Sequence, residues 1–128
     1  MSPSSWLATG VAIIIRGKLL LSCETEQGTL QLPGYFVEEG KKAISHLQSF
    51  LFKNKLSELS HQTLYLSEIA LHHHKKIKAT GVVRVIELSK ATEITLPKCQ
   101  YLSGKQLSRD EKANVLLKAV AQWLNDNL

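Results

Sequence analysis

The tripeptide Leu32-Pro33-Gly34 marks the point where two kinds of hydrophobic patterning meet, and that junction restricts the chain to a mixed α/β architecture. Upstream, residues 6–15 are rich in β-branched side chains and read as a strand, with Gly10 as a bulge. Arg16-Gly17-Lys18 then reads as a tight turn, residues 19–23 as the returning strand of a hairpin, and residues 29–32 as a short extended piece. Downstream, Ile44, Leu47 and Leu51 recur at helical spacing, which predicts a helix over residues 41–52 with Gly40 at its start.

Beyond residue 53 a polar stretch reaches Thr63. Residues 64–71 and 80–88 follow as two longer strands, and residues 94–96 and 99–102 as short extended pieces. The last element is a helix. Ala113, Leu116, Leu117, Val120, Trp123 and Leu124 share one face, and Ser108 with Glu111 makes an S-x-x-E capping pattern before it. The order β-β-β-α-β-β-(short β)-α predicts a sheet covered by helices. With 128 residues, 44% of them hydrophobic, the expectation is a single domain over residues 1–128.

No apolar run is long enough to span a bilayer; the best, from Val11 to Ile15, stops at Arg16. The first five residues lack the pattern of a secretory signal, so a cytoplasmic protein is expected. Cys23 and Cys99 have no metal spacing and make no disulfide framework, which predicts two reduced thiols.

The ten residues from Leu32 to Lys41 carry a sequence-level resemblance. Leu32, Pro33, Gly34, Val37, Glu38 and Gly40 match in register the L-P-G-G-x-V-E-x-G-E entrance of the Nudix box. The preceding hairpin, the following helix, the later strands and the terminal helix also follow the order of the Nudix hydrolases, which resemble MutT. The resemblance implies a Nudix-like α/β/α sandwich with a mixed sheet and two main helices. It also implies descent from a hydrolase of nucleoside diphosphates linked to another group, and a homodimer as the form of assembly. A small, compact chain of this kind would suit a bacterium.

The chemical half of the family pattern is not kept. Counted from Tyr35, the positions of the first glutamate, the Arg-Glu pair and the Glu-Glu pair hold Lys41, Ser49-Phe50 and Lys53-Asn54, and the glycine of the helix exit is Leu56. Only the apolar Leu51 is retained. In the family these helix acids hold Mg²⁺ or Mn²⁺ against a substrate diphosphate, and a hard dication needs such oxygen ligands. A lysine about 4 Å from a dication is repelled by roughly 8 kcal/mol at an effective dielectric of 20. The expectation is therefore a pseudoenzyme with no catalytic residues, no bound metal and no cofactor. Mg²⁺ or Mn²⁺ enters only if a divergent hydrolase uses Glu38 or Glu39 with other ligands.

Lysine can also neutralise a phosphate directly. Gly34, Tyr35, Glu38, Glu39, Lys41 and Lys53 are thus the candidate ligand-binding residues, for a phosphorylated small molecule that is bound and not cleaved. The alternative for both lysines is a plain solvated surface. A further reading is a basic adaptor for nucleic acid or protein, because the net charge is +5 and Lys75-Lys76-Ile77-Lys78, with Arg84 further along the strand, makes a basic hairpin tip. The tip contains no aromatic residue, which argues against single-stranded nucleic acid. His72-His73-His74 places two histidines on one strand face without a third ligand, so a polar strand end is the simpler reading. Ser22, Ser45 and Ser49 form no nucleophile elbow, and sequence neighbours of His46 on a helix do not face it.

Overall fold

The computed structural model describes residues 6–59, 62–70, 78–89 and 96–127. Seven strands form one sheet: β1 (Trp6–Ile15), β2 (Leu19–Glu24), β3 (Leu30–Gln31), β4 (Phe36–Glu39), β5 (Gln62–Ala70), β6 (Lys78–Leu88) and β7 (Cys99–Ser103). The helices are α1 (Gly40–Lys53), α2 (Gly104–Leu107) and α3 (Val115–Asn127). The main path of the sheet is β3-β2-β1-β6-β5, with β4 added on β1 and β7 on β2. β1 and β6 run parallel and the other pairs antiparallel, so the sheet is mixed.

β1 is buried from Ala8 to Ile15 because helices cover both faces of the sheet, which explains a nearly continuous apolar run where one-sided burial would give alternation. Val11 and Ile13 point toward α1, where they meet Leu47, Leu51, Leu56, Leu21 and Ile86. Ala8, Ala12 and Ile14 point the opposite way and pack with Leu116, Leu117, Val120, Ala121 and Leu124 of α3. Both predicted helices are present, though on α1 the buried stripe is Ala43, Leu47 and Leu51, with Ile44 only half-buried. No described helix is long and apolar enough to cross a membrane.

Several local expectations need correction. Gly10 is not a bulge: it pairs in unbroken register with Val83, and a Cβ there would meet Leu32 side-chain atoms at 3.0 Å. Its bare backbone lets Leu32 lie against β1. The irregularity lies in β5, between Leu66 and Ile69, with Glu68 at φ 53°. Ser108 does not cap the terminal helix; it follows α2, and its hydroxyl donates to the Lys105 carbonyl at 3.0 Å. Asn114 does the capping, its side-chain oxygen accepting from the Leu117 N–H at 2.9 Å.

The cysteines are a larger correction. Cys23 of β2 and Cys99 of β7 are direct cross-strand partners and form a disulfide, with Cα atoms 4.0 Å apart. Spacing in sequence could not show this, because the pairing of β2 with β7 is set by the sheet. The expectation of two reduced thiols is thereby overturned. The histidine run at 72–74, the lysines at 75 and 76 and most of the short piece at 94–96 lie outside the described residues.

Candidate functional site

β1 is shared on one edge by two partners, with β4 pairing over Trp6–Thr9 and β2 over Ile14–Ile15. The split between them is filled by the Leu32-Pro33-Gly34 loop. Leu32 to Tyr35 form a β-turn closed by the Tyr35 N–H on the Leu32 carbonyl at 3.2 Å, with proline second and Gly34 third at φ 71°. The Val11 N–H donates to the Pro33 carbonyl at 2.9 Å, bonding the turn to the central strand.

One flank of α1 closes over this loop. The His46 ring stacks on Phe36 with centroids 3.9 Å apart and planes 10° from parallel. One turn further along, the Phe50 ring lies on Gly34, so near that a Cβ there would fall 2.8 Å from its Cδ1. His46 and Phe50 thus work as an i, i+4 pair that clamps residues 34–36. The Nδ1 of His46 is buried without a hydrogen-bond partner, and no serine is bonded to it. Packing is the work of this histidine.

At its C-terminal end the helix is finished by Asn54, whose side-chain amide donates to the Phe50 carbonyl at 2.9 Å. Lys55 takes the left-handed conformation at φ 59°, and the Leu56 N–H reaches back to the Leu51 carbonyl at 2.8 Å. Leu56 is then buried. The tail of the box is a hydrophobic helix stop.

The structure does not bring the six candidate ligand-binding residues together. Gly34 lies under Phe50, and Lys53 is exposed in the last turn of α1. Lys41 is exposed in the first turn, about 18 Å from Lys53 along the axis at 1.5 Å per residue. Glu38 and Glu39 sit at that same first-turn end, where the Glu39 N–H donates to the Glu38 carboxylate at 3.1 Å and Glu39 precedes the helix without a side-chain cap. Tyr35 is half-buried against the α3-side core, and burial raises its phenol above the usual range. Among the described residues no three of His, Cys, Asp or Glu are grouped so as to hold a metal ion.

Arg84 stands in the middle of β6, half-buried, where one guanidinium nitrogen donates to the Thr63 hydroxyl of β5. Strand alternation alone puts Thr63 and Tyr65 on one face of β5. The register that sets them beside Arg84 and Val82 is absent from the sequence signal.

The fold occurs in solved structures. The C-terminal domain of mouse MUTYH, crystallised in complex with human PCNA, matches with a TM-score of 0.59 at 13% identity, over 95% of this chain and 88% of that one. RenU, a Nudix hydrolase from M. smegmatis, matches at 0.50 and 15% identity, over 98% and 86%. The fold is Nudix-like. A putative oxidoreductase from Sinorhizobium meliloti also contains this Nudix-like fold, at 0.53 and 15% identity, where 95% of this chain covers 38% of that protein. No protein-family profile and no curated protein matches the sequence.

Proposed function

We propose that this chain is a Nudix-fold binding domain with a degenerate Nudix box, which takes a phosphorylated small molecule and does not cleave pyrophosphate bonds. The observation that carries this reading is the Phe50 ring seated on Gly34. In the family pattern the helix flank facing the Pro-Gly turn presents a carboxylate; here that flank is filled by the His46 and Phe50 rings. Asn54, at the last acid position, directs its amide nitrogen to the helix end. Lys53 adds a positive charge. These residues do not fit a hard dication, which needs several oxygen ligands at one place.

The competing reading, a divergent hydrolase working through Glu38 or Glu39, is less well supported. Glu38 turns back to its neighbour's N–H, and both acids lie at the first-turn end of α1, away from the Phe50 contact. The MUTYH domain was crystallised with PCNA, so this fold can present a surface to a protein partner. The net charge of +5 suits an anionic partner of either kind.

The test is a panel of nucleoside diphosphate derivatives assayed with Mg²⁺ and with Mn²⁺, beside a Glu38→Gln/Glu39→Gln double variant. The expected result is no turnover by the natural chain, with a rise in Tm for at least one phosphorylated compound without added metal. Turnover that disappears in the double variant would establish the hydrolase instead.

A further inference from the structure

We propose that the Cys23–Cys99 disulfide is a reversible latch. Reduction by a dithiol frees the turn at residues 96–99 from β2, and with it Leu96 from the α1-side core, while the rest of the fold stays in place. The latch operates whether or not the chain binds a phosphorylated molecule.

β7 is fastened in different ways at its two ends. At Ser103 it runs into α2, where the Gly104 N–H donates to the Lys18 carbonyl at 3.0 Å and the Asn125 side-chain amide donates to the Gly104 carbonyl at 3.2 Å. A Cβ on Gly104 would meet Asn125 at 3.0 Å and Leu124 at 3.1 Å, so this end is pressed against α3. At the other end Cys23 and Cys99 are the last pair of the β2–β7 ladder. Beyond them the Glu24 N–H donates to the Lys98 carbonyl at 3.0 Å, and the Cys99 N–H turns back to the Leu96 carbonyl at 3.3 Å. Lys98 holds a φ of 59°, a conformation disfavoured for any residue with a Cβ. The sulfur bridge therefore keeps a strained turn against β2.

The same turn delivers a side chain to the core. Strand alternation puts Cys99 and Tyr101 of β7 on one face with Leu21 and Cys23 of β2. Leu96, Cys99 and Tyr101 pack there against the cluster that contains Leu51 and Leu56 from α1 and its C-terminal stop. The α3-side cluster includes neither cysteine, and Leu102 packs on it from the same strand. Opening the bond thus loosens one end of β7 and leaves the other end and the α3-side core anchored.

The chemistry is accessible. Both cysteines are half-buried, and Glu24, Pro97, Lys98 and Gln100 beside them are exposed, so a thiolate can approach the sulfurs. One thiolate of the dithiol attacks a sulfur, breaking the S–S bond and forming a mixed disulfide. The second thiolate then displaces the cysteine, and the reductant leaves as a disulfide. Two electrons and two protons pass to Cys23 and Cys99, which become thiols. The Cys99 Sγ already lies 3.3 Å from the Pro97 carbonyl oxygen, so the new S–H finds an acceptor in place. The chain has two cysteines, so no other pairing within it competes.

The experiment is maleimide labelling and amide NMR relaxation of the full natural chain, before and after dithiothreitol without denaturant and again after reoxidation, with Cys23→Ser/Cys99→Ser alongside. No thiol is expected to label before reduction and two after it. In the reduced chain the order parameters of residues 98–100 are expected to fall from about 0.85 to below about 0.6, while those of Gly104, β1 and α3 stay near about 0.85. Reoxidation should restore the first spectrum, and the serine variant should resemble the reduced chain. Two thiols labelled before reduction, a bond reduced only in denaturant, unfolding of the whole reduced chain, or residues 98–100 as rigid after reduction as before would each overturn the latch. These readings come from the natural chain, so they decide the matter even if the serine variant does not fold.

Discussion

Gly34 is the residue on which the local chemistry turns. Its φ of 71° disfavours any side chain, and the Phe50 ring occupies the space where a Cβ would go. Gly34→Ala is therefore expected to cost about 2–4 kcal/mol, combining backbone strain with overpacking. Urea unfolding of Gly34→Ala, Phe50→Ala and the double variant checks this. The two changes are expected to be non-additive, because removing Phe50 relieves part of the clash. Full additivity would show that the ring does not rest there. Tyr35 gives a second reading at this scale. Burial favours its neutral phenol, so its folded pKa lies above the unfolded value near 10. Its contribution to stability is present below pH 10 and is lost as pH rises through the folded pKa. An ultraviolet titration should show one tyrosine ionising later than free tyrosine, and denaturation should become easier over that alkaline range.

Among the elements, β1, α1 and α3 were legible in the sequence because a ten-residue β-branched run and two helical stripes leave little choice of conformation. β4 and α2 were not. β4 is four residues with no strand pattern of their own, and only pairing with Trp6–Thr9 makes them a strand. α2 ends at Leu107, just before the S-x-x-E pattern, which falls in a turn that the bridge between Leu30 and Ala113 holds to β3, so that α3 starts later, at Val115, capped by Asn114. The disulfide was hidden for a similar reason, since 76 residues separate two cysteines that the sheet places face to face. That bond ties β7 to β2 across a long loop, and its reduction, or a Cys23→Ser/Cys99→Ser variant, is expected to lower stability by about 2–4 kcal/mol. Thermal unfolding with and without reductant measures the loss, which the double serine variant should reproduce without reductant.

For the whole molecule, a motif of ten residues was enough to point to the fold, while the site depended on placements that no motif records. That motif is the entrance Leu32-Pro33-Gly34 with the residues leading into α1. Lys41 and Lys53 looked like one cationic cleft in sequence, yet α1 holds them at opposite ends. Arg84 was read in a strand beyond the basic tip, yet only the register of β6 with β5 sets it beside Thr63 and Tyr65. Position along a rigid element decides which charges can act together. The α1 flank over the Pro-Gly turn is packed by the His46 and Phe50 rings, and a divalent cation is expected to find no seat there. Calorimetric titration of the natural chain with Mn²⁺, alone and with a nucleoside diphosphate, tests it most directly. No binding tighter than about millimolar is expected in either case, since the flank groups no oxygen ligands. Micromolar Mn²⁺ binding that strengthens with the diphosphate, and that is lost in Glu38→Gln/Glu39→Gln, would contradict it.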